Sequence, residues 1–301
     1  MSEHRDSATW RSLLYVPANR DRFVRSAASS TADAVILDLE DAIPATHKAQ
    51  ARSALSEAVT TLRSGTASVM VRVNRPWALM IRDLQAAVVA GVDAVVVSKS
   101  DDPSVIRTVD EALTELESGT SRPPIRLIPL IESVRGVRRA DAIIAASDRV
   151  VAASTGIGDL CLDLQASPDS TAVVQAFVEV VQAARAADRT PLGLAGLIVS
   201  FQDREAFRAL AEQSKAMGSR GASCIHPSQV GALNDVFRPS PAELEQARRV
   251  VAVYEEAAGE GRGSVMVDGT FVDNANYQYA RQLLVSQGEL PVRSPALGQS
   301  G

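Results

Sequence analysis

The chain has 301 residues, 46% of them hydrophobic and 22% charged, enough to bury a large core as one barrel or as two small domains. A formal net charge of -5 and an aromatic content of 4% argue against a nucleic-acid partner, which calls for a basic face and stacking rings. The two cysteines, Cys161 and Cys224, make neither a metal-ligand spacing nor a disulfide framework, which fits a reducing compartment.

The opening residues MSEHRDSATWR mix both charge signs and lack an apolar stretch, so no secretory leader is read there and a cytoplasmic location is expected. No apolar run reaches the length of a transmembrane helix, and no membrane partner is expected. Strand-like runs follow in order: SLLYVP (12–17), DAVILDL (33–39), SVMVRV (68–73), DAVVVS (93–98), RLIPLI (126–131), RVVAAS (149–154), LAGLIVS (194–200) and SCIHP (223–227). These runs are almost continuously apolar, as strands of a parallel sheet buried on both faces are. Most are followed by helical spacing. In DREAFRALAEQSKAM, Phe207, Leu210, Ala211, Ser214 and Met217 share one face, and Gly218 supplies the stop.

This alternation predicts an α/β fold, a (β/α)8 TIM barrel, with a doubly wound open sheet as the competitor. The polar residues favour the barrel. Pro17 and Asn19, Asp38 with Glu40 and Asp41, Arg72 with Asn74, Lys99, Glu132, Asp159 and His226 all fall at or just beyond strand C-termini, which in a barrel converge on one mouth. The barrel is read over residues 1–236. Residues 237–301 form an extension, read as a lid or oligomerisation element. It opens with a capping box at Ser240, Pro241 and Glu243, continues to a hairpin pivoting at Asp268-Gly269, and ends in a helix.

Glu132 and Asp159 each end an apolar run, and two hard carboxylates without His or Cys nearby suit magnesium. Each taken singly is equally well a first-turn acid stabilised by the helix dipole. Arg72, between valines, suits a bidentate grip on a carboxylate or a developing oxyanion, or else an ion pair with Glu40 or Asp41. Asp38, Glu40 and Asp41 are read as orienting Arg72 and the water around a metal. Lys99 raises the Schiff-base lysine of an aldolase, yet Asp101 and Asp102 beside it favour a charged amine. Gly156 and Gly158 lack the full phosphate-loop spacing, and tight turning accounts for them. His226 reads equally as a base or as a packed histidine. Asp268 and Asp273 are turn residues by default, although a lid could carry one of them over a neighbouring site.

The segments RSLLYVPANRDRF, ADAVILDLEDAIP, VRVN, IESVRGV, GIGDL, CIHPSQV, FRPSPAELEQARRVV and DGTFVD together resemble the citrate lyase β-subunit-like group of the HpcH/HpaI superfamily, which includes malyl-CoA and citramalyl-CoA lyases. The resemblance runs from Arg11 to Leu284. It implies a TIM barrel assembled as a homotrimer or hexamer, with Mg2+ (or Mn2+) on Glu132 and Asp159. It further implies Arg72 on the oxoacid oxygens, and Asn19 and Arg20 near coenzyme A; Glu40, read above as orienting Arg72, is counted with Arg72 and Asp273 as catalytic. Asp273 would be the lid aspartate that reaches the adjoining subunit and exchanges a proton with the acetyl-CoA methyl carbon. The implied activity is Mg2+-dependent cleavage or formation of a short β-hydroxyacyl-CoA. Alternatives are thioester hydrolysis at the same metal site, and a subunit that needs an acyl-carrier partner.

The chain also departs from its relatives. Gly158 stands where an acid is common beside the metal aspartate, Ala18 where glycine follows the first-strand proline, Ala222 where a lysine is frequent, and Ser100-Asp101 where Val-Glu is usual. Ile157 and Gly158 would reshape the pocket floor.

Overall fold

The computed structural model describes residues 10–197 and 202–291. They divide into two compact units, Met1–Phe237 and Arg238–Gly301. In the first unit eight strands alternate with helices: β1 (Ser12–Pro17), β2 (Ala34–Asp38), β3 (Ser68–Val73), β4 (Ala94–Val97), β5 (Arg126–Ile131), β6 (Ala152–Thr155), β7 (Thr190–Leu192) and β8 (Ala222–Cys224). All neighbours pair in parallel, in the order β7-β6-β5-β4-β3-β2-β1-β8. Backbone bonds from Arg220 N to Pro191 O (2.9 Å) and from Gly193 N to Gly221 O (2.8 Å) bring the two ends of that order together. The unit is a TIM barrel, as the alternation predicts.

Two apolar layers follow from strand parity, because successive side chains point to opposite faces. Leu13, Ile36, Met70, Val96, Ile128, Leu130, Ala152 and Leu192 fill the barrel interior. Their alternates, among them Leu14, Val35, Val71, Val95, Leu127 and Ala153, pack outward. There they meet the helices α1 (Asp21–Ala28), α2 (Lys48–Leu62), α3 (Trp77–Ala90), α4 (Pro103–Leu116), α5 (Val134–Val137), α6 (Ala140–Ile144), α7 (Ile157–Leu164), α8 (Thr171–Ala186), α9 (Arg204–Ala216) and α10 (Pro227–Phe237). Each large aliphatic buried here contributes roughly 1.5–3 kcal/mol.

The last two strands differ from the sequence reading. The seventh strand, expected over 194–200, is Thr190–Leu192. Residues 194–197 lie outside any strand, and 198–200 lie outside the described residues. Pro191 hides this strand from the sequence, because proline has no N–H for a ladder. Here Pro191 only accepts, through its carbonyl, from Arg220. The eighth strand ends at Cys224, and Pro227 opens α10, since proline suits a first helical turn.

The second unit comprises α11 (Pro241–Gly259), β9 (Val265–Val267), β10 (Thr270–Val272) and α12 (Asn274–Ser286). Ser240 and Glu243 form the capping box of α11. Asp268 and Gly269, both at positive φ, make the hairpin turn. The unit's own core joins Val250, Val251, Val267, Val272 and Leu284, with Tyr254 and Tyr277 stacked at 4.7 Å.

Gly221 fixes how closely β8 approaches β1, because a Cβ there would lie 1.9 Å from the Trp10 carbonyl oxygen. Nothing in a strand backbone can give way by that much. Gly221→Ala is therefore expected to lower stability by roughly 2–4 kcal/mol. A urea titration showing a lower midpoint at unchanged slope checks this; an unchanged midpoint contradicts it.

Candidate active site

The same parity that fills the barrel aims polar residues into its mouth. Tyr15 follows Leu13, Asp38 follows Ile36, Arg72 follows Met70 and Glu132 follows Leu130, each two residues on, with Tyr15 inside β1, Asp38 and Arg72 at the C-terminal ends of β2 and β3, and Glu132 just beyond β5. Asp159 lies in the first turn of α7, just after β6.

Asp38 organises one side of the mouth. Its carboxylate accepts from Arg72 Nε (2.8 Å) and Nη2 (2.6 Å), and from the backbone N–H groups of Glu40 (2.8 Å) and Ala42 (3.0 Å). The guanidinium of Arg72 lies 4.9 Å above the Tyr15 ring, a cation–π arrangement. Its Nη1 is 3.1 Å from Glu40 Oε2 and 3.3 Å from Asp41 Oδ2. The fork that the sequence suggested for a substrate carboxylate is thus partly filled by Asp38, and Nη1 is the nitrogen turned toward the other acids. The anticipated ion pairs with Glu40 and Asp41 are present as well.

Lys99 joins the two sides. Its ammonium is 2.8 Å from Glu40 Oε1, 3.5 Å from Asp159 Oδ2 and 3.9 Å from Asp41 Oδ1, and its own N–H donates to Glu132 Oε1 at 2.5 Å. Burial pushes the Glu132 carboxyl up to about 8. The Lys99 N–H opposes this, and the charges of Asp159 and Glu40 add to it. Burial likewise raises Glu40, against Lys99 and Arg72. Five carboxylates, Asp38, Glu40, Asp41, Glu132 and Asp159, here share the cations Arg72 and Lys99. The excess is negative, and the donors are hard oxygens. Such a set fits a divalent cation held by Glu132 and Asp159.

Two glycines beside Asp159 play different parts. A Cβ on Gly156 would lie 2.6 Å from Glu132 Oε2 and 2.7 Å from its Cβ, so Gly156 makes room for the buried carboxylate rather than merely turning the chain. A Cβ on Gly158 would meet nothing within 4 Å.

Among the other residues singled out in the sequence, Asn19 buries its Oδ1 without a hydrogen-bond partner, and Arg20 is exposed at the start of α1. His226 Nδ1 accepts from the Ser228 N–H at 3.2 Å and lies 2.7 Å from its hydroxyl, a packed role at the head of α10. In the second unit Asp273 caps α12, accepting from Ala275 N (2.9 Å) and Asn276 N (3.2 Å).

The sequence reading missed Tyr15 and a buried brace. Asp83, fully buried, accepts from Arg52 Nε (2.7 Å), Asn74 N (3.0 Å) and Asn74 Nδ2 (2.7 Å), and Asn74 Nδ2 also donates to Leu39 O (2.9 Å). Lys48 Nζ donates to Leu39 O (2.9 Å) and Glu40 O (2.5 Å). These bonds fix the backbone that carries Glu40. Strand parity after Leu13 marks Tyr15, and an acid within the apolar helix WALMIRDLQAAVVA marks Asp83.

The pattern that defines the HpcH/HpaI aldolase/citrate lyase family matches residues 11–227. The chain belongs to this family. It is 37% identical to a (3S)-malyl-CoA thioesterase of Cereibacter sphaeroides, over 91% of this chain and 93% of that one. It is 31% identical to an L-malyl-CoA/beta-methylmalyl-CoA lyase of the same species, over 93% and 95%. Among solved structures, CitE of Mycobacterium tuberculosis, in complex with magnesium, acetoacetate and coenzyme A, superposes with a TM-score of 0.71 at 30% identity, over 92% of this chain and 98% of that one. The chain is thus a member of an enzyme family of carbon–carbon lyases and related thioesterases.

The contrast between the two glycines gives a paired prediction. Gly156→Ala should fold yet bind Mg2+ at least about tenfold more weakly, because Glu132 is displaced. Gly158→Ala should keep that affinity and gain about 0.5–1 kcal/mol of stability from the stiffer helix start. Calorimetric titration with Mg2+ and thermal melts read both; equal Mg2+ affinity in the Gly156 variant contradicts the assignment.

Proposed function

We propose that the protein is a Mg2+-dependent lyase that cleaves, or forms, a short β-hydroxyacyl-CoA of the malyl-CoA or citramalyl-CoA type, giving a 2-oxoacid and acetyl-CoA. The observation that carries this reading is the meeting of buried Glu132, Asp159 and Arg72 at one barrel mouth with an excess of negative charge. Family membership and the malyl-CoA lyase likeness support it.

Glu132 and Asp159 would hold the magnesium ion, which when bound supplies a Lewis-acid pole for the hydroxyl and carboxylate oxygens of the substrate. Arg72, held by Asp38 and Tyr15, offers Nη1 to the oxygen on which charge develops. Glu40, fixed through its backbone and paired with Lys99, sets the position of Nη1 and of water near it. As the substrate hydroxyl gives its proton to solvent water, its O–H electrons form the oxoacid carbonyl, and the carbon–carbon bond breaks with its electrons passing to the thioester enolate. Asp273 of a neighbouring copy, entering as the protonated acid, would then give its proton to the enolate carbon and be left as the carboxylate, which in the reverse direction removes that proton. Asn19 and Arg20 would lie along the approach of coenzyme A, with exposed Arg20 suited to its phosphates. This reading makes the protein a homotrimer or hexamer in which the second unit serves as the lid, and places it in the cytoplasm. No helix among the described residues is long and apolar enough to cross a membrane.

A specific observation favours a second reading, thioester hydrolysis. The chain is 37% identical to a malyl-CoA thioesterase, and Gly158 leaves open space beside Asp159 where water could enter. Product analysis separates the two. With malyl-CoA and citramalyl-CoA as substrates, the lyase reading expects oxoacid plus acetyl-CoA, dependent on Mg2+ and reduced at least about a thousandfold in Glu132→Ala. Free hydroxyacid plus coenzyme A alone would establish hydrolysis instead. Activity unchanged by chelation and by Glu132→Ala would sink both.

A further inference from the structure

Among the described residues, Lys99 bonds to both proposed metal carboxylates, Glu132 and Asp159, and it is not an acid. Lys99 sits immediately after β4, with its backbone in the left-handed region at φ 49, a conformation uncommon for a side chain of this size. The consequence is a division of labour within one residue. Its N–H turns toward β5 and holds Glu132 Oε1 at 2.5 Å, while its side chain turns across the mouth to Glu40 at 2.8 Å and Asp159 at 3.5 Å. Asp41 Oδ1, at 3.9 Å, faces it from the β2 side. Of the two cations in this cluster, Arg72 is spent on Asp38, Glu40 and Asp41. Among the described residues, Lys99 has its charge beside Asp159.

We propose that Lys99 is the internal counter-ion of the metal carboxylates, and that its ammonium competes with the divalent cation for Asp159 and Glu40 and so sets how tightly the metal is held. The proposal rests on the reading of Glu132 and Asp159 as metal ligands. A unit charge within about 4 Å of a carboxylate changes the local potential far more than packing does. A like charge close to an incoming cation disfavours it by the same physics. The long, 40% exposed side chain has room to swing toward solvent, whereas the backbone N–H stays on Glu132. Lys99 thus keeps one ligand in place while its ammonium yields the other. In the absence of metal the same pairing prevents buried Glu40 and Asp159 from repelling each other and Glu132.

The test is Mg2+ binding to the full-length protein by calorimetric titration, with thermal melts in Mg2+ and in EDTA, for wild type, Lys99→Met, Lys99→Gln, Lys99→Arg and Glu132→Ala. Removing the charge is expected to tighten Mg2+ binding about tenfold in both Lys99→Met and Lys99→Gln, while their melting temperatures fall in EDTA and recover in Mg2+ by more than that of wild type. Lys99→Arg keeps the charge and is expected to keep the wild-type affinity, an outcome that a role in packing alone would not give. Glu132→Ala is expected to lose binding. If wild type binds and the neutral Lys99 variants bind equally or more weakly, the counter-ion proposal is overturned alone. If wild type, the Lys99 variants and Glu132→Ala all fail to bind, the metal reading falls and the proposal with it.

Discussion

A carboxylate buried where it cannot easily stay charged is the constraint on which this structure turns. Glu132 is almost fully buried at the end of β5, and burial lifts its carboxyl to about 8. An ionised acid in that position needs a positive neighbour. A backbone N–H from Lys99 meets its first oxygen, the charge of Arg72 favours the ionised form, and Gly156 makes the space for its second oxygen. Asp159 and Glu40, close by, add negative charge rather than relieve it. A site assembled in this way, at the C-terminal face of a parallel barrel, suits the divalent cation proposed for it.

The rest of the mouth is built to keep Arg72 where it is. Arg72 is clamped in its plane by Asp38 and from one face by Tyr15. Asp38 also bonds the backbone of Glu40 and Ala42, so that the strand end and the loop beyond it move together. Beneath that loop, Asp83, Arg52 and Asn74 form a buried polar brace fixed on the Leu39 carbonyl. Such groups cost stability unless every member is paired. Here they secure the position of Glu40, and through it Nη1 of Arg72, which pairs with Glu40 and Asp41.

How much of this was legible in the sequence depends on the range of the signal. The first six strands are local apolar runs, and the position of Asp38, Arg72 and Glu132 at or just beyond their C-terminal ends put all three at one mouth. The capping box at Ser240 and the turn at Asp268-Gly269 are equally local, and both are present. The seventh strand was not legible, because Thr190–Leu192 is short and holds a proline whose missing N–H matters only in the middle of a ladder. Tyr15 and Asp83 were missed for another reason. Their roles arise from partners 57 and 31 residues away in sequence, which no periodicity reveals. Gly156 was read as a turn because the pressure on it comes from Glu132, on a different strand. Family likeness supplied the roles of Asn19, Arg20 and Asp273, which no pattern in the chain would have assigned.

The central claim is that Glu132 and Asp159 together hold a divalent cation. The most direct measurement is an anomalous difference map from crystals grown with Mn2+ in place of Mg2+. The account predicts one strong peak within bonding distance of both carboxylates, on the Arg72 side of the mouth. A peak elsewhere, or none at that position in crystals saturated with Mn2+, would contradict it.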